Sequence, residues 1–392
     1  MNPSRLQLIK VGQIREADLP MGDLTVFVGP QAPGKSIALQ VLKLLVDHGS
    51  IRSQLAAYGV DWEGKLPAFL DAFLGEGMHG IWSDKTRVLE DDKEVNLGTL
   101  IKKKGPRREA SLFFIPAQRV LTLRDGWPRP FSDYGPGDPF TVRAFSDELR
   151  MLMEGDLGKG SAALFPKSNR LKSELRDMLD EAVFHGFGLR VDKVHSQKRL
   201  VLGAEEKSDP LPFMVWSAGQ REFVPLLLGL YWLLPGAAVV QRKGIDWVVI
   251  EELEMGLHPK AINVVLLLVL ELLSRGYRVC LSTHSTQVLD ILWALRVFQE
   301  KGGTAQDVLD LFECKATSAM LKVAEVVLSK TGKVHYFRQD GTTRDISNLD
   351  PVAEDAAEAG WGGLSEFSGR VGDVVSRVVS RAKQGALQGA LL

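Results

Sequence analysis

Cysteine is scarce in this sequence: Cys280 and Cys314 are the only two among 392 residues. Two thiols cannot build a disulfide framework or a four-thiolate zinc site, and their scarcity is typical of a reducing, cytoplasmic compartment. An excess of charge of one sign is also missing. Lys+Arg number 48 and Asp+Glu 49, a net charge of -1, which excludes a globally basic nucleic-acid binder but not a local basic patch.

Long apolar runs are missing as well. The stretch 223–234 is among the most apolar in the chain, yet it is much shorter than the ~20 residues that span a bilayer. Charged residues interrupt the N-terminal twenty, so we expect neither a membrane span nor a signal peptide. What remains is a globular composition, 45% hydrophobic and 25% charged. At ~150 residues per domain, the length predicts two or three lobes.

Strand-like and helix-like segments alternate along the chain, which predicts an α/β fold. Strand-like runs lie at 6–14, 24–28, 111–116, 247–250 and 277–281. Segments with helical spacing lie at 36–46, 65–74, 143–153, 168–184, 220–234, 260–275, 286–294 and 370–382. Two hairpins are predicted, one with strands at 189–194 and 198–202, the other with strands at 322–329 and 333–339.

Residues 29–36, GPQAPGKS, fit the phosphate-loop pattern G-x-x-x-x-G-K-[ST], with an apolar strand before them and a helix after. Backbone amides of such a loop surround phosphates, Lys35 neutralises their charge, and the Ser36 hydroxyl ligates Mg²⁺. The alternative is an ordinary Gly/Pro turn with an incidental Lys-Ser. Pro33 has no amide hydrogen, so we expect weaker nucleotide binding than with a serine there. The candidate nucleotide contacts of this segment are Gly29, Pro30, Gln31, Ala32, Pro33, Gly34, Lys35, Ser36 and Ile37.

Two adjacent acids, Glu251 and Glu252, end the apolar run at 247–250. Neighbouring side chains of a strand point to opposite faces, so the two carboxylates can have different roles. Glu251 would hold Mg²⁺ or its water, and Glu252 would orient and deprotonate the attacking water. The alternative is a solvated turn, which the preceding phosphate loop disfavours.

Two further polar segments lie near predicted element ends. Ser217-Ala218-Gly219-Gln220 precedes an apolar helix; it is either a plain helix N-cap or an anion site at that helix end. His284 follows the run at 277–281, where it could touch a γ-phosphate. The alternative for a single histidine is a structural role.

Four segments occur in a fixed order along the chain: the phosphate loop, the S-x-G-Q segment, the strand with two glutamates and the strand with T-H-S. Their order and residues resemble those of an ABC-type ATPase head. The group includes the RecF, SMC-like and OLD-type proteins. The resemblance implies an α/β P-loop NTPase whose mixed sheet is shared by two halves of the chain, with a helical lobe inserted between Walker A and the signature. The implied divisions are 1–120 and 206–340 for the ATPase core, 121–205 for the lobe and 341–392 for a tail.

The resemblance also implies a head that dimerises around two ATP molecules. Ser217, Gly219 and Gln220 of one chain would contact the nucleotide held at Lys35 of the other. The implied catalytic residues are Lys35, Glu252 and His284. Gln118 is a candidate Q-loop residue, and with Ser36 and Glu251 it makes up the candidate magnesium set. The segment 254–258 would line the dimer seam.

Four residues depart from the pattern of this group, and they predict slower turnover more than lost nucleotide binding. Ala218 replaces the first signature glycine, Gln31 stands where asparagine is usual, Glu251 stands where aspartate is usual, and Pro33 lies in the loop.

Three biological roles fit such a head. One is a defence or repair ATPase that works with a nuclease or toxin, one is a RecF-like DNA-binding repair ATPase, and one is a transporter subunit. The spacing between Lys35 and Ser217 is long for a transporter subunit, and too few residues follow His284 for a Toprim nuclease domain. The chain resembles ATPase subunits of bacterial anti-phage systems of the PARIS type. That resemblance implies a dimer, or a ring of dimers, that controls a separate effector such as a Toprim nuclease. A basic run at 102–108, with Lys85 and Arg87, leaves DNA binding open.

Overall fold

The computed structural model describes residues 3–102, 109–157, 163–167, 170–194, 197–203, 209–234, 241–364, 369–372 and 374–377. The strands are β1 (Arg5–Val11), β2 (Ile14–Pro20), β3 (Leu24–Val28), β4 (Arg87–Glu90), β5 (Lys93–Glu94), β6 (Leu112–Ile115), β7 (Leu123–Arg124), β8 (Trp127–Pro128), β9 (Ala163–Phe165), β10 (Gly188–Val194), β11 (Gln197–Gly203), β12 (Leu211–Pro212), β13 (Trp247–Ile250), β14 (Arg278–Ser282), β15 (Gly332–Phe337) and β16 (Thr343–Asp345).

The α-helices are α1 (Lys35–Ala57), α2 (Leu66–Leu74), α3 (Leu97–Leu100), α4 (Phe140–Leu152), α5 (Ser173–Leu179), α6 (Ala218–Leu233), α7 (Pro259–Ser274), α8 (Thr286–Lys301), α9 (Ala305–Leu311), α10 (Ser318–Val327) and α11 (Ala356–Ala359). Short 3-10 turns lie at Met78–Ile81, Arg119–Thr122, Phe131–Asp133 and Phe213–Val215, and π-turns at Met153–Leu157 and Asp180–Phe184.

The central sheet has the strand order β16-β15-β3-β14-β13-β6 within the described residues. The pairs β15–β3, β3–β14, β14–β13 and β13–β6 are parallel, and β16 is antiparallel to β15. Strands β3, β6 and β13 are buried along their whole length, as expected for parallel strands covered on both faces. Strands from both halves of the chain form this one sheet, and that expectation is confirmed.

Alternate residues of the central strands enter two separate cores, one on each face of the sheet. Phe27, Phe114 and Val249 pack with α1 and the N-terminal strands β1 and β2. Val26, Val248 and the other residues on the opposite face of the sheet pack with the apolar helices α6 and α7. This packing fixes α1 and α6 on opposite faces, while the carboxyl ends of β3, β13 and β14 meet at one edge.

Smaller sheets flank the central one. Strands β2-β1-β4-β5 form the N-terminal sheet, and β12-β11-β10-β9 form a second sheet, of which β9, β10 and β11 lie in the insertion 121–205. The insertion therefore combines helices α4 and α5 with antiparallel strands, including the predicted hairpin of β10 and β11. No helix of the described residues is long and apolar enough to cross a bilayer.

Two sequence predictions are wrong. Residues 322–329, predicted as a strand, belong largely to α10, because Met320, Val323, Ala324 and Val327 follow the helical spacing and are buried. The single strand predicted at 6–14 is broken by a turn after β1, where Gly12 adopts a φ of 55°. The helix predicted at 168–184 begins only at Ser173, as α5, and ends in the π-helical turn Asp180–Phe184. Residues 168–169 lie outside the described residues. Most of the basic run 102–108 and part of the predicted helix at 370–382 also lie outside the described residues.

Candidate active site

The loop between β3 and α1 is shaped by residues in the left-handed region. Gly29 has a φ of 138°, Ala32 of 66° and Gly34 of 106°. A Cβ atom at Gly29 would lie 2.3 Å from the Phe337 carbonyl oxygen, and one at Gly34 would lie 2.4 Å from Ile14 Cγ1. Only glycine fits at these two positions, because both the backbone angle and the space exclude a side chain.

The loop and the start of α1 present backbone amides. The first helical hydrogen bond that follows Gly34 runs from the Ala38 amide to the Gly34 carbonyl, at 2.9 Å. The amides of Lys35, Ser36 and Ile37 thus belong to the first turn, whose N–H groups have no intrahelical partner. Such a helix start attracts anions. The Ile37 side chain is buried, so only its backbone can face a ligand.

Lys35 lies folded over the loop. Its ammonium donates to the carbonyl oxygens of Gly29 at 2.8 Å and Pro30 at 2.6 Å. Burial lowers the pKa of Lys35 to about 8, against the opposing effect of Glu252 and Glu254. A pKa near 8 leaves the side chain mostly protonated at neutral pH, so the loop carries a cation where phosphate would bind.

Glu251 is a buried carboxylate at the end of β13, with 2% of the residue exposed. Its Oε2 accepts a hydrogen bond from the Ala117 amide at 3.2 Å, and the Ser36 hydroxyl is a second donor to the carboxylate. Its Oε1 is buried and has no hydrogen-bond partner among the described residues. Burial raises the pKa of Glu251 to about 7. A buried carboxylate oxygen left unpaired beside a serine hydroxyl fits a bound divalent cation.

Glu252 turns away from Glu251. Its φ of 44° lies in the left-handed region, and its amide donates to the Ser282 hydroxyl at 3.1 Å. The carboxylate is about a third exposed, and its Oε1 lies 4.0 Å from His284 Nε2. The left-handed backbone at Glu252 therefore directs its carboxylate toward the surface, whereas the carboxylate of Glu251 is buried. The Glu252 carboxylate lies close enough to the phosphate loop for its charge to act on Lys35.

His284 follows β14 and lies beside the Glu252 carboxylate. Burial lowers its pKa, and the Lys35 cation lowers it further, while Glu252 and Glu254 oppose both effects. The imidazole is therefore neutral at pH 7, with one nitrogen able to donate a hydrogen bond. The structure thus brings together the loop lysine, Ser36, both acids and the histidine from three separate segments.

Gln118, the third candidate magnesium ligand, is exposed at the start of the 3-10 turn Arg119–Thr122. It comes directly after Ala117, the amide of which binds Glu251. Gln118 therefore lies at the edge of the site, next in sequence to Ala117, which contacts Glu251 directly.

Two residues of the site make contacts that the sequence did not predict, although Glu254 lies in the segment 254–258 that was expected to line the dimer seam. Glu254 accepts hydrogen bonds from the Thr283 hydroxyl at 2.9 Å and from the His284 amide, so it ties the segment after β13 to the end of β14. Arg119 is fully buried, and its guanidinium donates to the carbonyls of Glu251 at 3.0 Å and Glu252 at 3.2 Å. The sequence signal for Arg119 was its position beside the candidate Q-loop glutamine, and the signal for Glu254 was its position two residues after the acid pair.

The signature segment caps α6. The Gln220 amide donates to Ser217 Oγ at 3.2 Å, and the Ser217 amide donates to Gln220 Oε1 at 3.1 Å, a reciprocal capping box. A Cβ at Gly219 would lie 3.0 Å from the Gly256 carbonyl oxygen. The segment thus contacts the turn after the acid pair. Beside it, Met214 and Val215 are 67% and 62% exposed.

A family model described as "AAA domain, putative AbiEii toxin, Type IV TA system" matches residues 24–290, more than half of the chain. The chain belongs to this family. The matched region runs from β3 through the phosphate loop, the acid pair and His284. Together with the phosphate loop, the match makes this AAA-domain protein a P-loop ATPase that binds and hydrolyses ATP.

Solved structures similar to this ATPase include three SMC heads. One, bound to the C-winged helix domain of ScpA, is 10% identical, with 88% of this chain and 97% of that chain covered and a TM-score of 0.40. The Thermotoga maritima SMC head is 12% identical, with coverage of 74% and 92% and a TM-score of 0.32. The Pyrococcus furiosus head with an extended coiled coil, bound to the C-terminal domain of ScpA, is 9% identical, with coverage of 88% and 95% and a TM-score of 0.34. These TM-scores lie below 0.5, so the fold assignment rests on the strand order and the family match. No curated protein matches the chain.

Proposed function

We propose that two copies of this ATPase close around two ATP molecules, so that Ser217, Gly219 and Gln220 of each copy complete the site at Lys35 of the other. The exposed start of α6 carries this proposal. Ser217 is exposed and caps a sixteen-residue helix, and the amides of the first turn of such a helix favour an anion. The exposed Met214 and Val215 beside it supply apolar surface for a partner.

The proposed ligand is ATP with Mg²⁺. The metal would be held by Ser36 and Glu251, with Gln118 at the edge, and when bound it neutralises phosphate charge. The unpaired Oε1 of Glu251 supports this assignment. Among the described residues, no group of three or more His, Cys, Asp and Glu side chains is placed to hold a metal by itself. That pattern fits magnesium, which keeps waters and substrate phosphates and takes one or two carboxylates from a protein.

In the proposed reaction, the chain's own groups divide the work. Glu252 accepts the proton of the attacking water, because its carboxylate is part-exposed beside the loop. His284, neutral at pH 7, donates a hydrogen bond to the γ-phosphate. Lys35 moves from the loop carbonyls to the phosphates and offsets their negative charge.

For the biological role, we propose a cytoplasmic sensor or scaffold subunit of an anti-phage defence complex, as in systems of the PARIS type, that controls a separate nuclease or toxin. The family description names a toxin and a TA system, which supports defence over repair. The near-zero net charge suits partners that are chiefly nucleotide and protein. The core would consist of 1–120 and 206–340, extended by β16 of the segment 341–392, which pairs with β15 in the central sheet. The insertion 121–205 and the rest of the tail 341–392 would offer surfaces to the effector.

Two measurements test this role against a RecF-like repair ATPase. The protein is co-expressed with the products of its neighbouring genes and purified, and its affinity for duplex DNA is measured at low and high salt. Stoichiometric co-purification of a neighbour without salt-sensitive DNA binding supports the defence role. Tight DNA binding that weakens steeply with salt, without a protein partner, favours repair instead.

A further inference from the structure

Arg119 is a fully buried arginine that binds backbone carbonyls from two different elements. Its guanidinium donates to the carbonyls of Glu251 at 3.0 Å and Glu252 at 3.2 Å, in the turn that follows β13. Its Nε donates to the carbonyl of Glu222 at 3.2 Å, in the second turn of α6. A guanidinium holds its donors in a rigid planar fork. One side chain therefore fixes the spacing between the acid turn and the signature helix.

The same side chain is also linked to the phosphate loop. Arg119 lies two residues after Ala117, whose amide binds the Glu251 carboxylate. The Ser36 hydroxyl also interacts with that carboxylate and lowers its pKa. A chain of direct contacts thus runs from the start of α1 through Glu251 and Arg119 to α6.

Glu222 gives this junction a second, weaker contact. Its Oε2 lies 3.7 Å from Arg119 Nε, is buried and has no hydrogen-bond partner among the described residues. Its methylene packs on the turn at Gly256, where a Cβ would lie 3.0 Å from Glu222 Cγ. Burial raises the pKa of Glu222, and Arg119 opposes the shift. The three backbone hydrogen bonds of Arg119 therefore hold the junction more firmly than its ion pair with Glu222.

We propose that Arg119 is a positioning residue for ATP hydrolysis, holding the signature helix α6 in register with the catalytic turn at Glu252. The inference rests on the proposed pairing of two copies. When the turn at Glu252 shifts around ATP, the fork moves the start of α6 with it. The surface offered to the second copy then depends on the nucleotide held by the first.

A purely structural arginine offers a matched comparison. Arg278 begins β14, at the opposite end of the sheet, and also donates to backbone carbonyls, those of Pro3, Met21 and Gly22. Its guanidinium stacks over Trp247 at 4.0 Å. Replacing either arginine by lysine keeps the charge and removes the fork, but only Arg119 joins two segments of the site.

The test compares the Arg119→Lys and Arg278→Lys variants with the wild type in steady-state ATP hydrolysis and in mass with and without Mg²⁺-ATP. We expect Arg119→Lys to lower kcat by about tenfold or more while KM for ATP stays within about twofold, and to lose ATP-induced pairing. Arg278→Lys should keep both kcat and pairing. Wild-type kcat and pairing in Arg119→Lys overturn the inference. A wild type whose mass does not change with ATP overturns the proposed pairing instead.

A measurement on the wild type keeps the inference testable should Arg119→Lys fail to fold. Hydrogen–deuterium exchange is followed in residues 218–222 and 251–254 as Mg²⁺-ATP is added, at a protein concentration where the mass stays that of one chain. We expect the protection of the two segments to change together, because the backbone hydrogen bonds of Arg119 join them. A change confined to residues 251–254 contradicts the positioning role.

Discussion

The Glu254 carboxylate accepts a hydrogen bond from the Thr283 hydroxyl at 2.9 Å. This bond joins the turn after β13 to the end of β14, and through it Glu252 and His284 are set beside each other. Because Glu252 follows β13 and His284 follows β14, their 4.0 Å separation depends on that link. The site is therefore assembled by contacts between segments rather than by any one motif.

Glu252→Gln should bind ATP but not turn it over. The amide keeps the size of the side chain and cannot accept the proton of the attacking water, so we expect kcat to fall about 10²–10⁴-fold with nucleotide affinity retained. The measurement is ATP binding together with phosphate release. Glu300→Gln, at a surface ion pair with Arg296, is the control and should behave as wild type. Wild-type hydrolysis by Glu252→Gln would show that another group is the base.

Gly219→Ala should impair turnover without impairing folding. A Cβ there would lie 3.0 Å from the Gly256 carbonyl, so the turn after the acid pair must shift by a few tenths of an ångström. We expect kcat to fall roughly three- to tenfold, with the thermal midpoint unchanged or raised, because alanine favours a helix over glycine. Gly80→Ala, where nothing lies within 4 Å, is the matched control. Equal kcat values for the two variants would rule out a tight contact at Gly219.

Pro33→Ser should tighten ATP binding. Serine restores a backbone amide to the loop that proline lacks, and one more donor to phosphate is expected to strengthen affinity about three- to tenfold. Titration calorimetry with a non-hydrolysable ATP analogue measures the change. Pro351→Ser replaces an exposed proline outside the loop and serves as the control. Unchanged affinity in Pro33→Ser would mean that the amide at this position does not face the nucleotide.

The stability of the fold should depend on pH through His335. This ring is fully buried against Phe27, and its Nε2 binds the Pro20 carbonyl at 2.8 Å. Burial lowers its pKa and Lys333 adds to that effect, while the Pro20 contact, Asp345 and Asp18 oppose it. The unfolded chain therefore binds a proton more readily than the folded one. The stabilisation is fully present above the unfolded pKa of about 6.5 and is lost as the pH falls below it.

Urea unfolding of wild type and His335→Leu at pH values from about 7.5 to about 5.5 measures this effect. The free energy of unfolding of the wild type should fall relative to that of the variant as the pH is lowered. A difference between the two proteins that stays constant across this range would exclude His335 as the titrating group.

The phosphate loop, the acid pair and the shared central sheet could all be predicted from the sequence, because each depends on local patterns. Leu24–Val28 is a continuous apolar run followed by a glycine-rich loop, and such patterns need no knowledge of distant residues. The valine-rich segment around Val323 and Val327 misled the strand prediction, since β-branched residues favour strands and their helical spacing was overlooked.

The contacts of Arg119 and Glu254 could not be predicted in the same way. Arg119 is separated from Glu222 by more than a hundred positions and binds its backbone, and a backbone acceptor leaves no mark in the residue pattern. Glu254 likewise acts through Thr283 and the backbone of His284, in the segment that follows β14. Tertiary packing alone brings these groups together.

Mixing two inactive variants tests the shared site most directly. Lys35→Met removes the cation of the phosphate loop, and Ser217→Arg blocks the exposed start of α6, so each variant alone should not hydrolyse ATP. Random pairing in a two-fold dimer leaves one intact site in each mixed pair, so an equimolar mixture should recover roughly a quarter of the wild-type rate. A mixture no more active than either variant alone would contradict the claim that two copies share each ATP.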